Sequence, residues 1–72
     1  MHLSYEPSQE AKDTAEFLMQ TFVEAADDDV ARAGQIARLY IEGMQHSNKP
    51  IVRETAACLS ALAKEPAPKY LS

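Results

Sequence analysis

The chain has 72 residues, of which 46% are hydrophobic, a net charge of −4 and a single cysteine, Cys58. This hydrophobic content predicts a folded domain, and the lone cysteine excludes an intramolecular disulfide, so we expect a core this small to be stabilised by oligomerisation. The negative charge disfavours binding to nucleic acid phosphates. A cytoplasmic protein is expected, because the sequence shows no signal peptide or membrane-length apolar run and a lone cysteine fits a reducing compartment.

Residues 1–7 are predicted to form an extended lead, because Pro7 disfavours helix at the residue before it. Ser8 is a favourable N-cap for a first helix over residues 8–26. The apolar residues of this helix recur at intervals of three and four, which predicts one buried face. That face comprises Ala11, Ala15, Leu18, Phe22 and either Ala25 or Ala26, with Met19 and Val23 on its flank.

Phe17 interrupts this pattern, because its helical neighbours include Asp13, Thr14, Gln20 and Glu24. One interpretation is that its ring folds back over its own helix or against the lead. The other is that it anchors a contact with another protein, since aromatic residues are enriched among those that dominate binding energies.

Three consecutive aspartates, Asp27, Asp28 and Asp29, precede the apolar part of a second helix predicted over residues 29–46. The ligand spacing of a calcium-binding loop, with a central glycine and a distant glutamate, is absent. We therefore predict that one aspartate caps the second helix and that the others interact favourably with the positive end of its dipole.

The second helix is more apolar than a single buried face requires. Its expected core face comprises Val30, Ala33, Gly34, Ala37, Ile41 and Met44, with Tyr40 at the border. Ile36, Gly43 and Leu39 lie beyond that face, and a helix that is apolar around much of its circumference is usually buried on more than one side. The alternative is that Leu39 is an isolated exposed leucine, which is common on protein surfaces and indicates no interface. The residues predicted to bind protein are Phe17, Ile36, Leu39, Tyr40 and Gly43.

A third helix is predicted over residues 49–64, capped by Ser47 or Asn48 and with Pro50 in its first turn. Its expected buried face comprises Ile51, Thr55, Cys58, Leu59 and Leu62, extended by Val52 and Ala63. Prolines in residues 65–72 predict an extended tail. The sequence thus predicts one all-α domain over residues 1–72, with an antiparallel three-helix arrangement completed by homodimerisation.

No catalytic, cofactor or metal site is predicted. The acidic side chains are scattered over solvated faces, and His46 lies near a helix C-terminus, where an imidazolium interacts favourably with the dipole. Cys58 falls within the apolar stripe, which indicates an inert buried thiol. A helix-turn-helix-like DNA-binding protein is the alternative, because Lys49 and Arg53 lie near the start of the third helix. The long second helix and the few donors suited to base edges disfavour it.

The remaining prediction is a non-catalytic regulator that inactivates a protein partner by stoichiometric capture. The stretch PSQEAKDTAEFLMQTFVEAADDD followed by ARAGQIARLYIEGM resembles small bacterial and phage anti-activators of the QslA type. This resemblance covers about residues 7–62 and lies in an amphipathic first helix, an acidic break and an apolar second helix. It implies a helical homodimer that binds a LuxR-type quorum-sensing receptor, a transcriptional activator, and prevents it from binding DNA. No binding residue is transferred from that family, because helix character and not a motif carries the resemblance.

Overall fold

A computed structural model of the chain describes residues 7–64, and within this range the protein consists of three α-helices without strands. Helix α1 spans Gln9–Ala25, α2 spans Val30–Gln45 and α3 spans Pro50–Lys64. The predicted all-α class is therefore confirmed. Each helix begins one residue later than predicted, and α1 and α2 end one residue earlier. Residues 1–6 of the predicted lead and the predicted tail over 65–72 lie outside the described residues.

Side-chain oxygens cap the first two helices. The Ser8 hydroxyl accepts a hydrogen bond from the Ala11 backbone N–H at 3.2 Å, as predicted. The Asp29 carboxylate accepts one from the Arg32 backbone N–H at 3.1 Å, which identifies the capping residue among the three aspartates. Each bond satisfies a backbone donor that has no partner within its own helix.

Helix α3 begins at Pro50, where the missing N–H of proline costs no helical hydrogen bond. Just before it, the Ser47 hydroxyl accepts a hydrogen bond from the Lys49 backbone N–H at 3.1 Å. The Arg53 guanidinium reaches back and donates to the Ser47 carbonyl at 2.8 Å. The connection between α2 and α3 is therefore held by local polar contacts.

The end of α1 is a tight turn built from aspartates. The Asp28 N–H donates to the Val23 carbonyl at 2.9 Å and the Asp27 N–H donates to the Glu24 carbonyl at 3.1 Å. This pair of bonds is the Schellman motif, which usually has glycine at the position that Asp27 occupies. Asp27 and Asp28 have φ values of 54° and 66°, a left-handed conformation that carries a steric cost for residues with a side chain.

The core is small and rich in alanine. Of the eleven buried hydrophobic residues in the described chain, six are alanines, and Met19 and Leu59 are the largest fully buried side chains. The whole set is Ala11, Ala15, Met19, Phe22, Val23, Ala26, Ala33, Ala37, Ile41, Ala56 and Leu59. Helix α3 packs against both α1 and α2 more extensively than α1 and α2 pack against each other. Small side chains thus allow close approach of the helices but bury little apolar surface per residue.

The buried face of α1 is rotated relative to the prediction. Met19 and Val23, expected on its flank, are buried, whereas Leu18 is half-buried. Ala26 is buried and Ala25 is exposed, which decides between the two predicted positions.

On α3, the prediction of a core position for Ile51 is wrong, since this side chain is 37% exposed. The buried residues are Thr55, Ala56 and Leu59, and Ile51 lies about 80° around the helix from Leu59. The prediction of an inert buried Cys58 thiol is confirmed in part, because Cys58 packs against the core at the edge of the buried face but is only half-buried. Helical periodicity predicted the general side of α3 that is buried. The middle of the observed buried face lies closer to Ala56 than the predicted one did.

The left-handed turn generates a testable prediction. Replacing Asp27 with glycine is expected to raise the free energy of unfolding by about 1 kcal/mol, because glycine adopts positive φ without steric cost. The measurement is urea-induced unfolding at a fixed protein concentration. Asp27→Ala is the control, since it removes the same charge but retains a Cβ, and it should not stabilise the protein. A glycine variant less stable than the alanine variant would contradict this account of the turn.

Candidate protein-binding surfaces

Four residues on α2 form a line along one side of the helix, and we call this line the α2 stripe. It consists of Ile36, Leu39, Tyr40 and Gly43, whose spacing of three, four and seven residues places them on one face. Leu39 is 74% exposed and Tyr40 is 57% exposed. Two large side chains of this face, Leu39 and Tyr40, are therefore exposed to water, whereas apolar helix faces are usually buried against another element.

The α2 stripe borders the core along one edge. The Tyr40 ring lies 5.0 Å from the Phe22 ring on α1, measured between centroids, with 34° between the ring planes. This separation is within the range of favourable aromatic pairs. Ile36 is half-buried and packs against the core, so it is less free to meet a partner than the sequence suggested. Leu39 and the outer face of Tyr40 are the main exposed apolar groups of the stripe.

Gly43 lies at the end of the stripe and differs from the other glycine of α2. A Cβ built on Gly43 meets no heavy atom within 4 Å, whereas one built on Gly34 would lie 3.5 Å from the Ala63 carbonyl oxygen. Gly34 therefore faces α3 within the same chain, at ordinary van der Waals distance. Nothing in the described part of this chain accounts for the missing side chain at Gly43.

Phe17 lies on a separate surface. It precedes Phe22 by five residues, which corresponds to about 140° around α1, so it points away from the side that meets Tyr40. Its side chain is 68% exposed, which does not agree with a ring folded back over its own helix. The Phe17 carbonyl accepts a hydrogen bond from the Thr21 hydroxyl at 2.8 Å. The predicted residues are therefore divided between the α2 stripe and an isolated aromatic ring on α1.

The surroundings of Phe17 are acidic. Seven of the nine acidic residues in the described range belong to α1 or to the turn that follows it, and Lys12 is the one basic residue of that stretch. Glu10, Asp13 and Glu24 lie on the same side of α1 as Phe17, at spacings of seven, four and seven residues. Phe17 thus stands in the middle of a negatively charged face.

The sequence did not predict a groove that runs between α1 and α3, which we call the α1–α3 groove. Its volume is about 450 Å³. Its α1 side consists of Pro7, Lys12 and Glu16, and its α3 side consists of Ala57, Cys58, Ala61 and Leu62. Ala57 and Ala61 are exposed and one turn apart, so small side chains on adjacent turns were the signal available in the sequence.

The charges around the groove act on the Cys58 thiol. Burial raises the pKa of Cys58, the Glu54 carboxylate raises it further and the Lys12 ammonium opposes this change. Glu54 also accepts hydrogen bonds from the Ser8 hydroxyl at 3.1 Å and from the Ser8 N–H at 3.3 Å, which ties the start of α1 to α3. The thiol in the wall of this groove is therefore protonated at neutral pH and weakly nucleophilic.

We also considered metal binding, membrane spanning and DNA contact for the described residues. Within 7–64, no group of three or more His, Cys, Asp or Glu side chains could hold a metal ion. None of the three helices has both the length and the apolar character needed to cross a bilayer. Of the two cations considered for DNA contact, Arg53 is engaged with the Ser47 carbonyl.

No protein-family model, curated protein or solved structure matches the chain. The resemblance to quorum-sensing anti-activators therefore stays a hypothesis, and the functional argument rests on the surfaces described above.

Proposed function

We propose that this protein is a non-catalytic regulator that acts as a homodimer and inactivates a partner protein by stoichiometric capture. The observation that carries the proposal is the exposure of Leu39, Tyr40 and Phe17 in a chain whose own core is built largely from alanine. Aromatic side chains are enriched among the few residues that supply most of the binding energy of a protein interface, and the buried centre of an interface is more apolar than its rim.

The α2 stripe pairs with the stripe of a second copy across a two-fold axis. A symmetric dimer uses the same patch twice, and the stripe has the helical spacing that allows two helices to pack along their length. Gly43 lets the two α2 backbones approach closely at one point, since no heavy atom of residues 7–64 lies within 4 Å of a Cβ built there. Burying Leu39 and Tyr40 in this way supplies the additional stabilisation that a small core needs.

Consecutive helices are antiparallel in this proposal. In support, Gly34 in the second turn of α2 lies beside Ala63 in the last turn of α3. Ser8 at the start of α1 contacts Glu54 in the second turn of α3, which agrees with α1 and α3 running in the same direction. This arrangement leaves the α2 stripe and Phe17 on different sides of the molecule.

The partner binds the acidic face of α1, with Phe17 inserted into an apolar pocket. A surface complementary to this face is basic, and proteins that bind DNA carry basic surfaces. The chain therefore competes with DNA for a transcription regulator, as the resemblance to anti-activators implies. A reducing cytoplasm, where such regulators act, is the location consistent with a lone cysteine.

The dimer is tested by the mass of the protein in solution. Light scattering after size exclusion is expected to give about twice the 8.0 kDa of the chain. Leu39→Glu should reduce this mass to that of the monomer, because a carboxylate would lose its hydration within the interface. Ala31→Glu is the control, since Ala31 is exposed on α2 away from the stripe. A wild-type protein that stays monomeric at high concentration would rule out the dimer.

The two glycines of α2 provide a second test of the interface. Either glycine-to-alanine change should favour the helix by about 1 kcal/mol in the monomer. Gly43→Ala is nevertheless expected to weaken dimerisation, because its methyl group would separate the two α2 helices. Gly34→Ala, which faces Ala63 in its own chain, should leave the dimer intact. Equal dimer dissociation constants for the two variants would place Gly43 outside the interface.

Capture of the partner is tested with Phe17. A transcription regulator should co-purify with the wild-type protein from a native host lysate in a 1:1 ratio of chains. The purified transcription regulator should lose its binding to DNA when an equimolar amount of the wild-type 72-residue protein is added. Phe17→Ala should weaken this complex by at least about tenfold, as expected for a central aromatic anchor. Gln20→Ala is the control, because Gln20 is exposed one turn further along α1.

The result that would overturn capture is direct binding of this chain to DNA. In that case the affinity would fall steeply with salt concentration, as it does when lysine and arginine replace counterions on phosphates. Such a result would favour the helix-turn-helix alternative. If Phe17→Ala bound the partner with unchanged affinity, protein binding would still stand, but Phe17 would not be the residue that anchors the complex.

A further inference from the structure

The α2 stripe is symmetric about its own midpoint. Its two outer members, Ile36 and Gly43, each lie three residues outside its two inner members, Leu39 and Tyr40. A two-fold axis that passes between Leu39 and Tyr40, perpendicular to α2, therefore brings the stripe positions of one copy opposite the stripe positions of the other. Such a patch suits a two-fold dimer, in which each pair of facing residues occurs twice.

We infer that two copies of the chain pair through α2 helices that run in opposite directions, with Ile36 of one copy against Gly43 of the other. Leu39 and Tyr40 of both copies then meet around the axis, at the centre of the interface. This inference rests on the proposed function, because it assumes that the α2 stripe forms the dimer interface. It adds the direction in which the helices run and the register in which their residues face each other.

The first argument is the difference in size between the two ends of the stripe. Ile36 has a large side chain, whereas no heavy atom of residues 7–64 lies within 4 Å of a Cβ built on Gly43. In an antiparallel pair, the exposed part of Ile36 fills the space beside Gly43 of the other copy, at both ends of the interface. In a parallel pair, Ile36 would face Ile36 and the two glycines would face each other, which leaves a void that well-packed interfaces avoid.

The second argument is the register. Only the register centred between Leu39 and Tyr40 pairs all four stripe positions with stripe positions. A shift of one helix by three residues would place Ile36 against His46 and Tyr40 against Glu42, both of which are exposed and polar. Because polar groups lose hydration when they are covered by apolar side chains, the shifted register is disfavoured.

The third argument is charge. Arg32 is exposed and lies seven residues before Leu39, on the same side of α2. In a parallel pair, the Arg32 side chains of the two copies would face each other, and like charges repel. In the antiparallel pair they lie at opposite ends, about 22 Å apart along the helices, which exceeds the screening length of about 8 Å at physiological salt. Charge therefore favours the antiparallel direction.

Cysteine cross-linking tests the direction of the helices. The starting protein is Cys58→Ala, so that each variant carries a single thiol. One cysteine is introduced at Arg32 in the first turn of α2, or at His46 immediately after its end, since both residues are exposed and lie seven residues from Leu39. In the antiparallel pair, position 32 of one copy lies beside position 46 of the other, whereas each position is about 20 Å from its own counterpart.

The expected result is a cross-linked dimer in a mixture of Arg32→Cys and His46→Cys chains treated with a short bismaleimide. Either variant alone should give none, and Cys58→Ala without a further cysteine is the control. Self-cross-linking of both single variants would mean that the two α2 helices run in the same direction. No cross-linked dimer in any sample, with a dimer mass by light scattering, would overturn this pairing and leave the dimer itself standing. A monomer mass for the wild-type protein would overturn the proposed dimer and the pairing together.

Energetic coupling between Ile36 and Gly43 tests the register. Within one chain these residues are about 10 Å apart along α2, a separation at which the effects of two substitutions normally multiply. Dimer dissociation constants are measured for the wild type, Ile36→Val, Gly43→Ala and the double variant. A shorter side chain at position 36 leaves room for the new methyl group of the other copy. The double variant should therefore bind at least about threefold more tightly than the product of the two single effects.

The control is the pair Gly34→Ala and Gly43→Ala, whose effects on the dissociation constant should multiply. Gly34 faces Ala63 within its own chain, so it has no contact across the interface. If the effects of Ile36→Val and Gly43→Ala also multiply, Ile36 does not face Gly43 of the other copy and the register is wrong.

Discussion

The structure depends on one packing constraint: three short helices approach each other through alanine and glycine. Close approach gives good contact between helices, but each small side chain removes little apolar area from water. With Met19 and Leu59 as the largest fully buried side chains, the core has no room for every large apolar group of the chain. The side chains left outside are the ones that a partner can reach.

The same constraint determines where each exposed group lies. The Tyr40 ring packs against Phe22 on one side. More than half of its surface is nevertheless exposed and accessible to a partner. Leu39, the residue before Tyr40, lies about 100° away from it around α2 and does not pack against the core. Phe17 stands on the opposite side of α1 among carboxylates. One molecule thus presents an aliphatic and aromatic helix face and a separate acidic face with a central ring, which suits two partners of different chemistry.

Charge is also segregated along the chain. The acidic residues concentrate on α1 and its following turn, where Asp29 caps α2 and Asp27 adopts a left-handed conformation. The aspartates therefore serve the turn as well as the surface potential. The groove beside Pro7 has the opposite character, because small and half-buried side chains form its α3 wall.

The sequence by itself determined the three helices, the Ser8 and aspartate caps of the first two, and the exposure of Leu39 and Phe17. Helical periodicity and capping depend on residues that are close in sequence, so they can be predicted without knowledge of the tertiary structure. Only the tertiary structure decided which side of each periodic arc is buried. It left Ile51 exposed and placed both Cys58 and Ile36, half-buried, at the edge of the core. It also formed the α1–α3 groove, because a groove depends on the distance between two helices whose lining residues lie more than forty positions apart in the chain. Burial and concavity are properties of how helices meet, and no local pattern encodes them.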